Sequence, residues 1–160
     1  MRILEKKIIV YEYSTIWDLP AVEQKLLNVS REAVLNAYAS YSNFNVGAAV
    51  LLENSEIISG NNQENAAFTT GLCAERVALF YANSYYKNIP VKAIAVTASN
   101  NLGITCDPVK PCGSCRQALI EVEVRFKQPI RIILNGRNKI QVFEGVENLL
   151  PFAFKPDSLD

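Results

Sequence analysis

Histidine is absent from all 160 residues. Its absence removes Ser-His-Asp and Cys-His catalysis, and every His-ligated metal site. Any acid–base work falls to Glu, Asp, Lys, Tyr or a metal-bound water. No charge is in excess either, because 16 Lys and Arg balance 16 Asp and Glu. That balance gives no electrostatic reason to expect a nucleic-acid or acidic-membrane partner. A small neutral substrate needs no such steering field. No apolar run approaches the length of a membrane span. The first residues mix charge (Arg2, Glu5, Lys6, Lys7, Glu12) with apolar side chains and lack the core of a secretory signal. A cytoplasmic location is therefore expected. Cysteines number only four, which does not suggest a disulfide scaffold at this size. Repeats and low-complexity tracts are missing as well.

The length suits one domain, and an apolar fraction of 49% can fill a core. Residues 1–17 read as an N-terminal arm, with 7–13 as a short edge strand or simply an ordered part of that arm. Residues 18–155 read as the catalytic core and 156–160 as a tail. Asp18-Leu19-Pro20 looks like a helix start, with Asp as N-cap and Pro in the first turn. Val22, Leu26, Val29, Ala33 and Ala37 then recur at helical spacing. The nearly unbroken apolar run 46–52 predicts a buried strand, and 56–60 a second one after a turn. Helices are expected over 73–82 and 112–126, with strands over 92–98, 130–134 and 140–143 and a short helix over 146–150. Strands joined by helices imply an α/β fold: three layers, α-β-α, around a central mixed five-stranded sheet.

Two clusters carry chemistry: Cys73-Ala74-Glu75-Arg76 and Pro111-Cys112-Gly113-Ser114-Cys115-Arg116. Three thiolates can hold one zinc and leave its fourth position open, the mark of a catalytic rather than a structural site. Cys112 and Cys115, three apart, share one rim of a helix or its entry turn. Cys73 is placed to open the other helix. At helix N-termini, free N–H groups and the macrodipole favour thiolate. Glu75, free of metal duty, stands where a proton shuttle belongs. Cys73 and Glu75 diverge in mid-helix but converge over a helix end, so the ion must cap both helices. Arg76 and Arg116 are candidates to donate hydrogen bonds to sulfur and offset its charge. The plainer alternatives are a structural zinc, with Cys106 as fourth ligand, or merely buried thiols. Cys106 shares no ligand-like spacing with Cys73 and reads as an ordinary thiol.

Cys-x-Glu followed by Pro-Cys-x-x-Cys is the pattern of zinc-dependent nucleobase deaminases in which Cys replaces the first His. With residues 37–52 (AYASYSNFNVGAAVLL), 60–79 (GNNQENAAFTTGLCAERVAL), 92–98, 111–119 (PCGSCRQAL) and 149–154 (LLPFAF), the chain resembles the small homotetrameric cytidine deaminases. The resemblance implies one zinc per subunit on Cys73, Cys112 and Cys115, with Glu75 as proton shuttle. It implies that the Ala74 backbone contacts the base carbonyl, and that Asn62 and Glu64 hold the ribose 3′-hydroxyl. It makes Phe44 a pocket wall and Phe154 an aromatic that reaches into a neighbouring subunit. Phe68 stands where many members place a tyrosine from an adjacent subunit. Hydrolytic deamination of cytidine and 2′-deoxycytidine follows, by a homotetramer with shared sites and no nucleic-acid or membrane partner. Taken singly, Asn62 and Glu64 read equally as a solvated loop, and Phe44 and Phe154 as core. Ser40 and Asn45 replace prolines common in the family, and Phe68 lacks the tyrosine hydroxyl.

Overall fold

A computed structural model describes residues 1–159. Ten named strands and helices follow the expected order. They are β1 (Tyr11–Tyr13), α1 (Ala21–Ala33), β2 (Asn45–Leu52), β3 (Ile57–Asn61), α2 (Ala74–Tyr85), β4 (Val91–Asn100), β5 (Gly103–Ile104), α3 (Gly113–Phe126), β6 (Arg131–Asn135) and β7 (Ile140–Glu144). The sheet order is β1-β7-β6-β4-β2-β3, with β5 paired to the end of β4. Only β4 and β6 run parallel; every other neighbouring pair is antiparallel. The five expected strands form the mixed centre, and two short strands extend it. β5 falls in what the sequence presents as a loop, and β1 is the edge strand anticipated in the arm.

β2 shows why the sheet has three layers. Ala48, Val50 and Leu52 face the core beneath α2 and α3, whereas Ala49 and Leu51 face the core beneath α1. Successive strand residues point to opposite faces, so an unbroken apolar run is buried on both. The parallel step from β4 to β6 requires a crossover, and α3 supplies it.

α1 departs from the expected stripe. Its buried face is Glu23, Leu26, Leu27, Ser30 and Ala33, whereas Val22 is exposed. Two of these residues are polar and meet partners on the sheet: Glu23 forms an ion pair with Arg131 at 2.8 Å, and the Ser30 hydroxyl bonds that of Thr97 at 2.7 Å. An apolar-only pattern cannot find such positions. The N-cap is Pro20 rather than Asp18; Asp18 instead closes a capping box with Thr15 in a short 3₁₀ turn. Residues 34–36 and 146–148 also tighten into 3₁₀ turns.

Two glycines set the helices on the sheet. A Cβ at Gly47 would meet Ser30 O at 2.2 Å, and one at Gly60 would meet Ala78 N at 2.5 Å and Ala74 O at 2.9 Å. Backbone therefore lies directly on backbone at both contacts. Gly60 in β3 thereby fixes the height of the first turns of α2.

Candidate metal centre and substrate cleft

Cys73 is the N-cap of α2 and Cys112 the N-cap of α3, both with extended backbone and no side-chain capping bond. Cys115 lies in the first turn of α3 and is fully buried. The two helix ends face one another. Cys73 Sγ is 3.8 Å from Cys112 Sγ, which is 3.5 Å from Cys115 Sγ. All three sulfurs lie within 4.8 Å of one another. A tetrahedral zinc with Zn–S bonds of about 2.3 Å places its sulfurs about 3.8 Å apart. The two separations at Cys112 match that ion, and the third lies within 4.8 Å. Among the described residues no further cysteine or carboxylate joins it. Cys106 is exposed, and Arg137 Nη2 donates to its sulfur at 2.8 Å.

The electrostatics favour ligation. A hydrogen bond from Cys115 is the main reason the Cys73 thiol is lowered to about 5, and Arg76 and Cys112 add to the drop. Arg76 Nη2 lies 3.8 Å from Cys73 Sγ, as the expected charge offset requires. The same bond to Cys73, together with burial, raises Cys115. The shared hydrogen bond thus pushes the two thiols in opposite directions, Cys73 down and Cys115 up. A bound divalent cation would release the thiol proton.

Arg116 does not do what the sequence suggests. Its Nε donates to Pro111 O and its Nη1 to Leu149 O, both at 2.8 Å. At the fourth position of α3, its side chain reaches back to the residue before Cys112 and ties that point to Leu149 in the C-terminal segment. It supports the ligand loop, and its hydrogen bonds go to backbone rather than to sulfur.

A cleft of about 650 Å³ opens in front of the sulfurs, within the range of small-molecule sites. Cys73, Cys112, Glu75 and Arg76 line it together with Phe44, Phe68, Asn62 and Glu64. Glu75 is the second residue of α2 and is buried. Burial pushes its carboxyl up, its own backbone N–H opposes the rise, and the Cys73 sulfur adds to it. Ala74, the first residue of α2, is fully buried beside it.

Asn62 and Glu64 are committed within the fold. Asn62 Oδ1 accepts from Val46 N at 2.8 Å, and its Nδ2 donates to Phe44 O at 2.9 Å. Glu64 accepts from Tyr41 N at 2.8 Å, from Ser42 N at 3.3 Å and from the Ser42 hydroxyl. The Ser42 hydroxyl, then the Tyr41 amide, hold Glu64 below the usual carboxylate range. The pair is thus neither a solvated loop nor idle, because it braces the turn that carries Phe44. Ser42, Lys110 and Val96 also line the cleft and were not singled out from sequence. Ser42 sits two residues before Phe44 and Lys110 two before Cys112, and that proximity was the available signal. Phe68 lines the cleft of its own chain and meets Tyr41 edge-on at 5.8 Å. Phe154 stands outside that cleft, with its carbonyl held by Gln117 Nε2 at 2.7 Å.

Residues 20–127 match the family profile described as the cytidine and deoxycytidylate deaminase zinc-binding region. The chain belongs to this family. Family members of known name include a cytidine deaminase of Halalkalibacterium halodurans, 39% identical over 138 residues, which cover 86% of this chain and 97% of that one. A cytidine deaminase of Sporosarcina psychrophila is 40% identical over 136 residues, covering 85% of this chain and 93% of that one. Among solved structures, the cytidine deaminase of Burkholderia pseudomallei superposes with a TM-score of 0.70 at 36% identity, covering 81% of this chain and 97% of that one. The Mycobacterium tuberculosis cytidine deaminase superposes at 0.64 and 26%, covering 83% and 97%. The fold is thus that of the zinc-binding deaminases, and the Cys73, Cys112 and Cys115 cluster falls inside the matched zinc-binding region. No helix is long and apolar enough to cross a membrane among the described residues.

Proposed function

We propose that this family member hydrolyses cytidine and 2′-deoxycytidine to the uridine products and ammonia. One observation carries the reading. Three sulfurs at zinc spacing cap two helices, and Glu75, a buried carboxylate beside Cys73 and Cys115 that lines the same cleft, stands outside the ligand set. The similarity to named cytidine deaminases supports cytidine as the base-bearing substrate.

Bound by Cys73, Cys112 and Cys115, zinc supplies a water of lowered pKa at its open position. Glu75 takes a proton from the attacking water and delivers it to N3 of the base. The new C4–O bond forms, and Glu75 then carries the remaining hydroxyl proton to the amine. The C4–N4 bond breaks, ammonia leaves and the C4 carbonyl remains. Phe44 offers a flat apolar face to the pyrimidine. Asn62 and Glu64 take the sugar 3′-hydroxyl with acceptor and donor capacity beyond their bonds to the 41–46 turn. A grip on the 3′ side leaves the 2′ position unread, so both sugars fit. Phe154, remote from its own cleft, completes that of a neighbour in a homotetramer. The neutral net charge suits a free nucleoside rather than a polynucleotide.

The test is ammonia release from cytidine by the purified protein before and after zinc chelation. Turnover that stops with the chelator and returns with zinc is expected. Undiminished turnover after complete metal removal refutes the mechanism.

A further inference from the structure

The chain after β7 ends in a segment without strand or helix of its own over residues 149–155. Leu149 and Leu150 tuck against the core beneath α3, but Phe152 and Phe154 are 90% and 59% exposed. Ala153 between them packs against the same core, and Gln117 Nε2 holds Phe154 O, so the rings themselves are placed through the backbone on either side. Further ties to this segment come from the N-terminal arm.

Tyr11–Tyr13 pairs along β7, with Tyr11 opposite Val142. Before it, Ile9 N donates to Asn148 Oδ1 at 3.1 Å, and Asn148 Nδ2 donates to Glu144 O at 2.6 Å. Lys6 Nζ donates to Pro151 O at 3.0 Å and to Glu147 Oε2 at 3.4 Å. The same ammonium stands 6.0 Å from the centre of the Phe152 ring. Glu147 Oε1 takes Lys155 from the other side, so Lys6, Glu147 and Lys155 bracket residues 151–154. The arm precedes residue 20, where the family profile begins.

A chain end with few buried groups frays unless it is tied down. Exposed ion pairs are individually weak. Their effect here is geometric: Pro151 O and Glu147 are fixed three and seven residues from Phe154. A modest loss of order there displaces an aromatic ring whose contact with substrate depends on alignment.

We propose that Lys6 is a positioning residue: the N-terminal arm straps down the 147–155 segment and so sets where Phe154 is presented to substrate. The proposal rests on the reading above, in which Phe154 completes a neighbour's cleft. The strap itself is measurable without catalysis.

The experiment compares full-length wild type, Lys6→Ala, Lys6→Arg, Phe154→Ala and the Lys6→Ala/Phe154→Ala double variant. Amide hydrogen exchange over residues 149–155 and the KM and kcat for cytidine are the readouts. Lys6→Ala is expected to speed exchange in that segment and raise KM about threefold, the scale of one exposed ion pair. Core amides and kcat should hold, and Lys6→Arg should restore both readouts. Lys6→Ala should add nothing to KM once Phe154 is already Ala. Unchanged exchange, or a KM increase of equal size in the Phe154→Ala background, overturns the proposal. So does faster exchange with an unchanged KM. A wild-type protein that leaves cytidine untouched sinks the deaminase reading instead, whereas unaltered exchange in an active enzyme sinks the strap alone.

Discussion

Glu75 shows how position outweighs residue type. A glutamate in the first turn of a helix is ordinarily solvated and favoured by the helix dipole. This one is buried beside a sulfur trio, and burial raises its carboxyl. Among the described residues the cleft has one other lining carboxylate, Glu64, which is held by three donors. Glu75→Ala should keep zinc at one equivalent while turnover falls about 10²- to 10⁴-fold, the span of general acid–base catalysis. Metal analysis alongside an ammonia assay checks both halves. Near wild-type turnover would remove Glu75 from the mechanism. Arg76 and Arg116 make the complementary point. Each follows a cysteine-bearing helix start, yet only Arg76 reaches sulfur. Arg116 finds two backbone carbonyls in range, one of them 33 residues away. Nothing in the local motif distinguishes the two arginines.

At the scale of elements, the site depends on how α2 and α3 are seated. Gly60 allows the backbone of α2 to rest on β3. Gly60→Ala puts a methyl group against backbone atoms that cannot rotate away. It should cost about 1–3 kcal/mol in urea unfolding, as overpacking does. It should also weaken zinc binding, because Cys73 moves with the helix. Retained stability together with retained zinc affinity would show that the contact is soft. α3 is anchored at its other end by Glu123, which accepts from Ile130 N at 2.7 Å and from Val146 N at 2.9 Å. Burial pushes the Glu123 carboxyl up, against those two bonds. The folded chain then holds a proton that the unfolded chain releases above the ordinary value of 4.5. Stability from this group is accordingly lost as pH rises from there through the folded value. Glu123→Gln keeps an acceptor oxygen and removes the charge. Its melting temperature should fall less over that pH window than that of the wild type, and a parallel pair of curves would contradict this.

For the whole molecule, the decisive question is where Phe154 acts. Within one chain it stands outside the cleft, tied by Gln117 and by the strap from Lys6. A cleft completed by a second copy predicts that activity follows assembly. Specific activity should collapse on dilution over the same concentration range in which sedimentation shows dissociation to monomers. A fully active monomer would leave Phe154 without its role. Exposed aromatics elsewhere, such as the stacked pair Tyr81 and Tyr85 on α2, fit a chain that buries more surface in an assembly.

Much of this was legible in residue order. The missing histidines confined any metal site to sulfur or carboxylate. Cys112 and Cys115 three apart, with Pro111 ahead of them, announced a ligand pair at a helix start. The apolar run 46–52 announced a strand buried on both faces. These are short-range facts, because spacing along the chain maps directly onto a helix or a strand. Tertiary packing alone decided the rest. It brought Cys73 to within 3.8 Å of a sulfur 39 residues away and sent Arg116 to carbonyls. It also engaged Asn62 and Glu64 in bracing a turn, and laid the arm across the C-terminal segment. Each of those outcomes turns on which distant group arrives first within hydrogen-bonding reach. Periodicity carries no record of that, and only the closed, packed chain supplies it.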